Sequence, residues 1–172
     1  MKIESATVEH IPVLHRLIES AYRGDSARGG WTHEADLLGG QRTDPNELAI
    51  LLDDPTQTVL IGRIDGDIAA CIALTDKGDG LFYFGMLTID PERQGQRLGS
   101  LMLEAAERHV VSLGAVRMEA QVIKQREELI AWYERRGYAR TGETRPFPYG
   151  DPRFGDPKRD DLEFIVLEKP LS

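Results

Sequence analysis

Thr88 to Arg108 reads TIDPERQGQRLGSLMLEAAER. The stretch leaves an apolar segment, LFYFGMLTI. It enters an amphipathic one in which Leu98, Met102, Ala105, His109 and Leu113 recur along one helical stripe until Gly114. Its middle, RQGQRLG, joins two glycines to two arginines and two glutamines with no acid, in a chain whose net charge is −8. Where a turn opens a helix, the first backbone N–H groups lack intrahelical partners and the dipole is positive, so the place suits an anion. Gly95 and Gly99 let the backbone come close to that anion, Gln94, Gln96 and Arg97 can add donors, and Ser100 can add a hydroxyl. A diphosphate fits this arrangement best. The stretch lacks the glycine-lysine-serine/threonine ending of a P-loop, and it does not carry the three glycines of the dinucleotide fingerprint. On the glycines alone, a tight turn into a helix accounts for it equally well.

Outward from this turn, short apolar strands alternate with helical patterns. KIESA predicts an edge strand, and Thr7 can cap a helix that places Ile11, Leu14, Ile18 and Ala21 on one face before Gly24. Asp44 before Pro45 predicts the cap and first position of a short helix, PNELAILLDD. TVLIGRI and DIAACIAL, joined through DGD, predict a hairpin, and TDKGDG leads to a third strand that completes an antiparallel meander. Gly85 within that third strand predicts a bulge or a close approach. VRMEAQVI reads as a strand. QREELIAWYERRG reads as a helix with Leu129, Trp132 and Tyr133 inward and Gly137 as its stop. YARTGE and LEFIVLE supply the last two strands. The segment between them, TRPFPYGDPRFGDPKRDD, is longer than a routine connection, and its aromatics Phe147, Tyr149 and Phe154 point to function.

The 172 residues fit one domain, spanning 1–172, with the balance of apolar and charged residues of an ordinary globular protein. The acidic balance argues against general affinity for nucleic acid or an anionic membrane, while leaving room for a local basic pocket. No apolar stretch approaches the length that spans a bilayer, and the N-terminus lacks the basic flank and apolar run of a secretory signal. The cytoplasm is the expected compartment. Cys71 is the only cysteine, which excludes an intrachain disulfide and reads as a small buried residue. His109 reads as a packed helix histidine. No metal is expected.

The meander, turn, helix and strand, followed by ELIAWYERRGY at Glu128 to Tyr138, closely resemble the GNAT superfamily of acyl-CoA-dependent N-acyltransferases. In that family a strand ending precedes Gln/Arg-x-x-Gly-x-Gly/Ala, and a later helix ends in Tyr-Glu-x-x-Gly-Phe/Tyr. Here Leu87, Thr88 and Ile89 fall on the strand end, Gln94 on the first motif position and Gly99 on the last. Arg97 stands where the first glycine is expected, and Arg126 stands where an asparagine often precedes the tyrosine. The resemblance implies an α/β fold with a mixed, mostly antiparallel sheet, split near the cofactor, and helices on both faces. It implies acetyl-CoA as co-substrate, held by Leu87 to Ile89, Gln94 to Ser100 (Leu98 included) and Arg126.

Further roles follow from the same resemblance. Backbone N–H groups at Leu87 to Ile89 would hold the oxyanion formed when an amine attacks the thioester. Tyr133 would protonate or shield the leaving thiolate, since a phenol at about 10 stays protonated where a thiol at about 8.5 begins to ionise. Glu34 is the first choice for the base and Glu119 the second. The acceptor side falls to Trp31, Thr32, His33, Phe147 and Tyr149. Thr32 as a helix cap with Glu34 in the first turn is an alternative account of GWTHEA, and Trp31 serves equally as a core plug. The expected activity is acetylation of a primary amine of a small molecule. Acetylation of a protein N-terminus or lysine, and a non-catalytic acyl-CoA-binding module, stay open as alternatives, as does a homodimer.

Overall fold

The computed structural model describes residues 1–22, 38–39, 42–93, 96–150 and 156–172. In chain order its elements are β1 (Lys2–Ser5), α1 (Ile11–Tyr22), β2 (Leu38–Gly39), α2 (Pro45–Asp53), β3 (Gln57–Ile64), β4 (Asp67–Asp76) and β5 (Leu81–Ile89). There follow α3 (Leu98–Ser112), β6 (Arg117–Ile123), α4 (Glu127–Glu134), β7 (Ala139–Pro146), β8 (Asp156–Pro157) and β9 (Glu163–Pro170). A seven-stranded sheet runs in the order β1-β3-β4-β5-β6-β9-β7, and β2 pairs with β8 apart from it. Only the β5–β6 pair is parallel within the large sheet. The mixed, mostly antiparallel α/β architecture expected from the sequence is the one observed.

Local chemistry explains the elements. The β3–β4 hairpin turns through Asp65 and Gly66, both left-handed at φ 52° and 86°, as a two-residue turn matched to strand twist requires. Asp44 caps α2 by accepting from the Glu47 N–H at 2.7 Å, with Pro45 at the first position. Strand alternation then sorts the core onto two faces. Leu60, Ala70, Ile72, Phe82 and Phe84 meet Met102, Leu103, Ala106 and Val110 of α3 and Ile130 and Tyr133 of α4. Val59, Ile61, Cys71 and Ala73 meet Leu14, Leu17 and Ile18 of α1 and Leu48 of α2. Because β4 is covered on both faces, its middle is continuously buried, and small residues such as Ala69, Ala70 and Cys71 keep the layers close. Burial pushes the Cys71 thiol up to about 12, so it behaves as a small apolar residue.

Two patterns extend differently than the sequence suggests. The buried face of α3 passes through Leu103, Ala106 and Val110, while Leu113 is exposed and His109 half-buried. On α4 the fully buried residue beside Tyr133 is Ile130, and Leu129 and Trp132 are half-buried. Helix α1 ends at Tyr22, and Gly24 lies outside the described residues.

The feature that positions the site is a divergence. Strands β5 and β6 pair at Leu81–Arg117, Phe82–Met118 and Tyr83–Glu119 and at no later residue. Beyond Tyr83, β5 stays on β4 as far as Ile89, and β6 stays on β9 as far as Ile123. A register shift between Cys71 and Ala73 accompanies the parting, and Met86 sits at φ 54°. A left-handed non-glycine residue costs about 1–2 kcal/mol, and its neighbours hold it there. Thr88 Oγ1 donates to the Met86 carbonyl at 2.8 Å, with Cys71 Sγ 3.7 Å from the same oxygen. The Tyr83 ring lies over Gly85, where a Cβ would come within 3.3 Å of it, so the predicted bulge and close approach are both present.

Glu119, at the last paired position, is buried and bonded by Lys77 Nζ and Arg145 Nη2, each at 3.0 Å. Burial raises its pKa, but the bonds to Lys77 and Arg145 prevail and hold it below the ordinary carboxylate value. Glu119→Gln should therefore lower stability at pH 7 by about 1–3 kcal/mol. The folded pKa is depressed, so the contribution is complete above the unfolded value of about 4.3 and is lost as pH falls through the folded value. Denaturant titrations from pH 7 to pH 3 should show the gap between wild type and variant closing at the acid end. A constant gap would mean that the packing of Glu119, not its charge, matters.

Candidate active site

The gap between β5 and β6 holds two adjoining cavities. One, of about 280 Å³, is bounded by Leu87 to Ile89 of β5, Arg97 to Ser100 at the start of α3, and Arg126, Leu129, Trp132, Tyr133 and Arg136. The other, of about 160 Å³, runs towards Tyr83 to Met86, Gln121 to Ile123, Arg42, Phe147 and Phe164. Tyr22, Leu87, Arg126, Leu129 and Tyr133 border both. Tyr133 thus stands at the junction of two spaces.

On β5, backbone polarity can be followed residue by residue. The Asp90 N–H bonds the Ala69 carbonyl at 2.8 Å, so Asp90 points towards β4. By strand alternation Thr88 does the same, and Ile89 and Leu87 point the other way, into the gap. The Tyr22 hydroxyl confirms that direction by donating to the Leu87 carbonyl at 2.6 Å. The N–H groups of Leu87 and Ile89 therefore face the larger cavity across which β6 would otherwise have paired. Thr88, 1% exposed, turns inward and serves the bulge.

At the start of α3 the helix presents its N-terminus to the same cavity. Arg97 is the N-cap residue and has φ 59°. The backbone there takes the conformation that glycine adopts freely, which explains why glycine is the residue expected at this position. Gln96 and Arg97 are exposed and Leu98 is buried beneath them. Gln94 and Gly95 lie outside the described residues. The close approach at Gly99 is made by Trp132, whose ring would lie 3.2 Å from a Cβ. Gly99 thus lets α3 and α4 meet, a role in packing that precedes any ligand.

Arg136 is the residue that the sequence reading missed. Its Nε and Nη2 donate to Ser100 Oγ at 2.9 and 2.7 Å, and Nη1 donates to the Trp132 carbonyl at 2.9 Å. Its guanidinium lies 3.6 Å from the Trp132 ring centre. The Ser100 hydroxyl is accordingly an anchor for Arg136. Burial, then Arg135 and Arg97, push the Arg136 pKa below its usual value, as expected where cations gather. The helical spacing of Trp132 and Arg136, one turn apart on α4, is the signal that could have found it. Arg97, Arg126 and Arg136 border the larger cavity, and its described lining includes no aspartate or glutamate. In an acidic chain these three arginines form a local cationic pocket.

Tyr133 is 5% exposed and meets Phe84, Trp132 and Tyr138 edge to face, with ring centres 5.3–5.9 Å apart. Burial pushes its pKa well above the ordinary phenol value, Tyr22 adds to the rise, and Arg126 opposes it. The hydroxyl stays protonated throughout the physiological range. Arg126 is buried as the N-cap residue of α4 and borders both cavities.

Phe147 is buried with Ile123 and Leu162 and borders the smaller cavity. Tyr149 borders neither; its hydroxyl accepts from the Leu162 N–H at 2.8 Å and its ring packs on Phe147. Glu119, the second choice for a base, is engaged by Lys77 and Arg145 and also borders neither cavity. Trp31, Thr32, His33 and Glu34, and Phe154, lie outside the described residues. Among the described residues no cluster of His, Cys, Asp and Glu could hold a metal ion, and no helix is long and apolar enough to cross a membrane.

Comparison with known proteins agrees with this geometry. Among solved structures, the ribosomal-protein-S18-alanine N-acetyltransferase of Escherichia coli superposes with a TM-score of 0.71 at 17% identity, over 99% of this chain and 94% of that one. An IAA acetyltransferase of Bacillus cereus gives 0.70 at 15% identity, over 99% of each chain. The yncA protein of Salmonella typhimurium, solved with its cofactor acetyl-CoA, gives 0.71 at 14% identity, over 100% of this chain and 94% of that one. These likenesses establish the fold. No curated protein matches the sequence. The acetyltransferase (GNAT) family model matches residues 15–138, most of the chain, including β5, α3, β6 and α4. The chain belongs to the GNAT acetyltransferase family and is an acyltransferase of that family.

Proposed function

We propose that this chain, acting as one domain over residues 1–172, transfers an acetyl group from acetyl-CoA to a primary amine of a small molecule by direct attack. The observation that carries the proposal is Tyr133 at the junction of two cavities, beside the Leu87 and Ile89 N–H groups and a helix start flanked by arginines. The larger cavity suits acetyl-CoA: Arg97 and Arg136 match a diphosphate in charge, and the amides opening α3 add fixed donors. The related yncA structure, which holds acetyl-CoA, supports the choice of co-substrate.

Each group has one task. The N–H of Leu87 or Ile89 receives the charge that grows on the thioester oxygen, and the fixed backbone needs no reorganisation to do so. Tyr133 gives its proton to the departing sulfur and is reprotonated by the proton that the attacking nitrogen must shed. Because its pKa stands above the thiol's, it releases that proton only as it gains another, which favours a relay over a free acid. Glu34 is proposed as the base that readies the amine. In support, Tyr22, the last described residue before its segment, borders the smaller cavity, and Glu119 is committed elsewhere.

Three variants test these roles. Tyr133→Phe keeps the ring contacts and removes the proton, so kcat should fall by roughly 10²-fold or more while acetyl-CoA affinity barely changes. Normal turnover in steady-state assays would reduce Tyr133 to packing. Glu34→Gln should leave a rate that recovers as pH rises towards the pKa of the amine, and a flat loss across the pH profile would assign Glu34 to binding or structure.

Arg97→Gly separates ligand from fold. Relief of the left-handed strain offsets the extra freedom of the unfolded chain, so stability should change by no more than about 1 kcal/mol. Acetyl-CoA affinity should nevertheless fall severalfold and depend less on salt. Calorimetric titrations at two ionic strengths with equal salt slopes would place the Arg97 guanidinium away from the phosphates.

A further inference from the structure

The smaller cavity differs in chemistry from what a generic amine needs. Arg42 and Arg126 both border it, and its described lining contains no aspartate or glutamate. Among the described residues nothing acidic offsets those two positive charges, which disfavours a polycationic acceptor and favours an anionic group on the acceptor. Two described carboxylates, Glu119 and Glu19, are directed elsewhere. Glu119 bonds Lys77 and Arg145, and Glu19 accepts the backbone N–H groups of Arg42 and Thr43 at 2.6 and 2.8 Å. The Glu19 bonds pin the backbone of Arg42 at the cavity wall. Its guanidinium carbon lies 5.3 Å from the centre of the Tyr22 ring, and the Tyr22 hydroxyl bonds the Leu87 carbonyl. Arg42 is thereby tied to the strand whose N–H groups face the reacting carbonyl.

We propose that the acceptor is an amine that also carries a carboxylate, an amino acid or close analogue, with the carboxylate received by Arg42 and Arg126. The inference rests on the acetyl-transfer reading above and specifies its second substrate. A guanidinium offers two parallel N–H donors matched to the two oxygens of a carboxylate, and the remaining walls at Tyr83, Phe147 and Phe164 are aromatic. At about 160 Å³ the space suits a molecule of amino-acid size, below the ~300 Å³ at which drug-sized sites begin. The carboxylate is a handle and is unchanged in the reaction. The carbon–sulfur bond of the thioester breaks as the carbon–nitrogen bond forms, the nitrogen loses a proton and the sulfur gains one.

The test uses the twenty L-amino acids, their carboxamides and spermidine. Thiol release is followed at saturating acetyl-CoA, and binding to CoA-saturated enzyme is followed by calorimetry. At least one acid should exceed its carboxamide by ~10-fold or more in kcat/KM, the scale of one charge-assisted pair. Arg42→Gln should bring that ratio towards one, with Arg42→Lys between, once melting curves show both variants folded. Acids that bind in an Arg42-dependent way without thiol release would uphold the carboxylate site at Arg42 and Arg126 and sink acetyl transfer. Carboxamides or spermidine used as well as the acids, a ratio indifferent to Arg42→Gln, or no acid either bound or acetylated would each overturn the inference.

Discussion

Everything at this site depends on two neighbouring strands that pair for three residues and then part. A parallel pair that continued past Tyr83 and Glu119 would consume the outward N–H groups of β5 in ladder bonds and fill the space with side chains. By parting, the sheet leaves Leu87 and Ile89 with their N–H groups aimed into a gap, in a frame held rigid by β4 on one side and β9 on the other. The cost falls on Met86, held left-handed, and on the register shift opposite it. Thr88 and Cys71, both buried, meet the Met86 carbonyl and keep the distortion local.

The gap then collects charge. An acidic chain gathers Arg97, Arg126 and Arg136 around one cavity and Arg42 with Arg126 around the next. Arg136 shows how such a cluster is kept in place: Ser100, the Trp132 carbonyl and the Trp132 ring hold its guanidinium from three sides. Gly99 allows that arrangement because any larger residue would press on Trp132. Packing between α3 and α4 and the electrostatics of the cavity are one design, and a substitution at Gly99 would disturb both.

Much of the fold was legible because it rests on local rules. Alternation marked β3, β4 and β5, Asp-Gly marked the hairpin, and Asp44-Pro45 marked the start of α2. Of the site, the turn at Arg97 to Ser100 and Tyr133 were legible through spacing and resemblance, and the structure brings them to one cavity. The residues missed act across distance. Tyr22 reaches Leu87 from the end of a helix, and nothing near it in sequence announces that bond, although it lies one helical turn after the buried Ile18. Arg136 carries no mark in the sequence beyond its place one helical turn after Trp132. Glu119 looked like a candidate base because alternation cannot say that Lys77 and Arg145 converge on it. Tyr149 looked like a ligand contact and is instead a tie to the Leu162 backbone.

The central claim is that the gap beside Leu87 and the start of α3 is where acetyl-CoA lies. Amide chemical shifts of ¹⁵N-labelled protein, followed during titration with acetyl-CoA, test it most directly. The account predicts the largest changes at Leu87, Ile89 and Leu98 to Ser100, together with the Trp132 indole N–H. Changes that instead gathered at the surface groove bounded by Ile3, Ser5, Arg108 and His109, with the β5 and α3 amides unmoved, would contradict it.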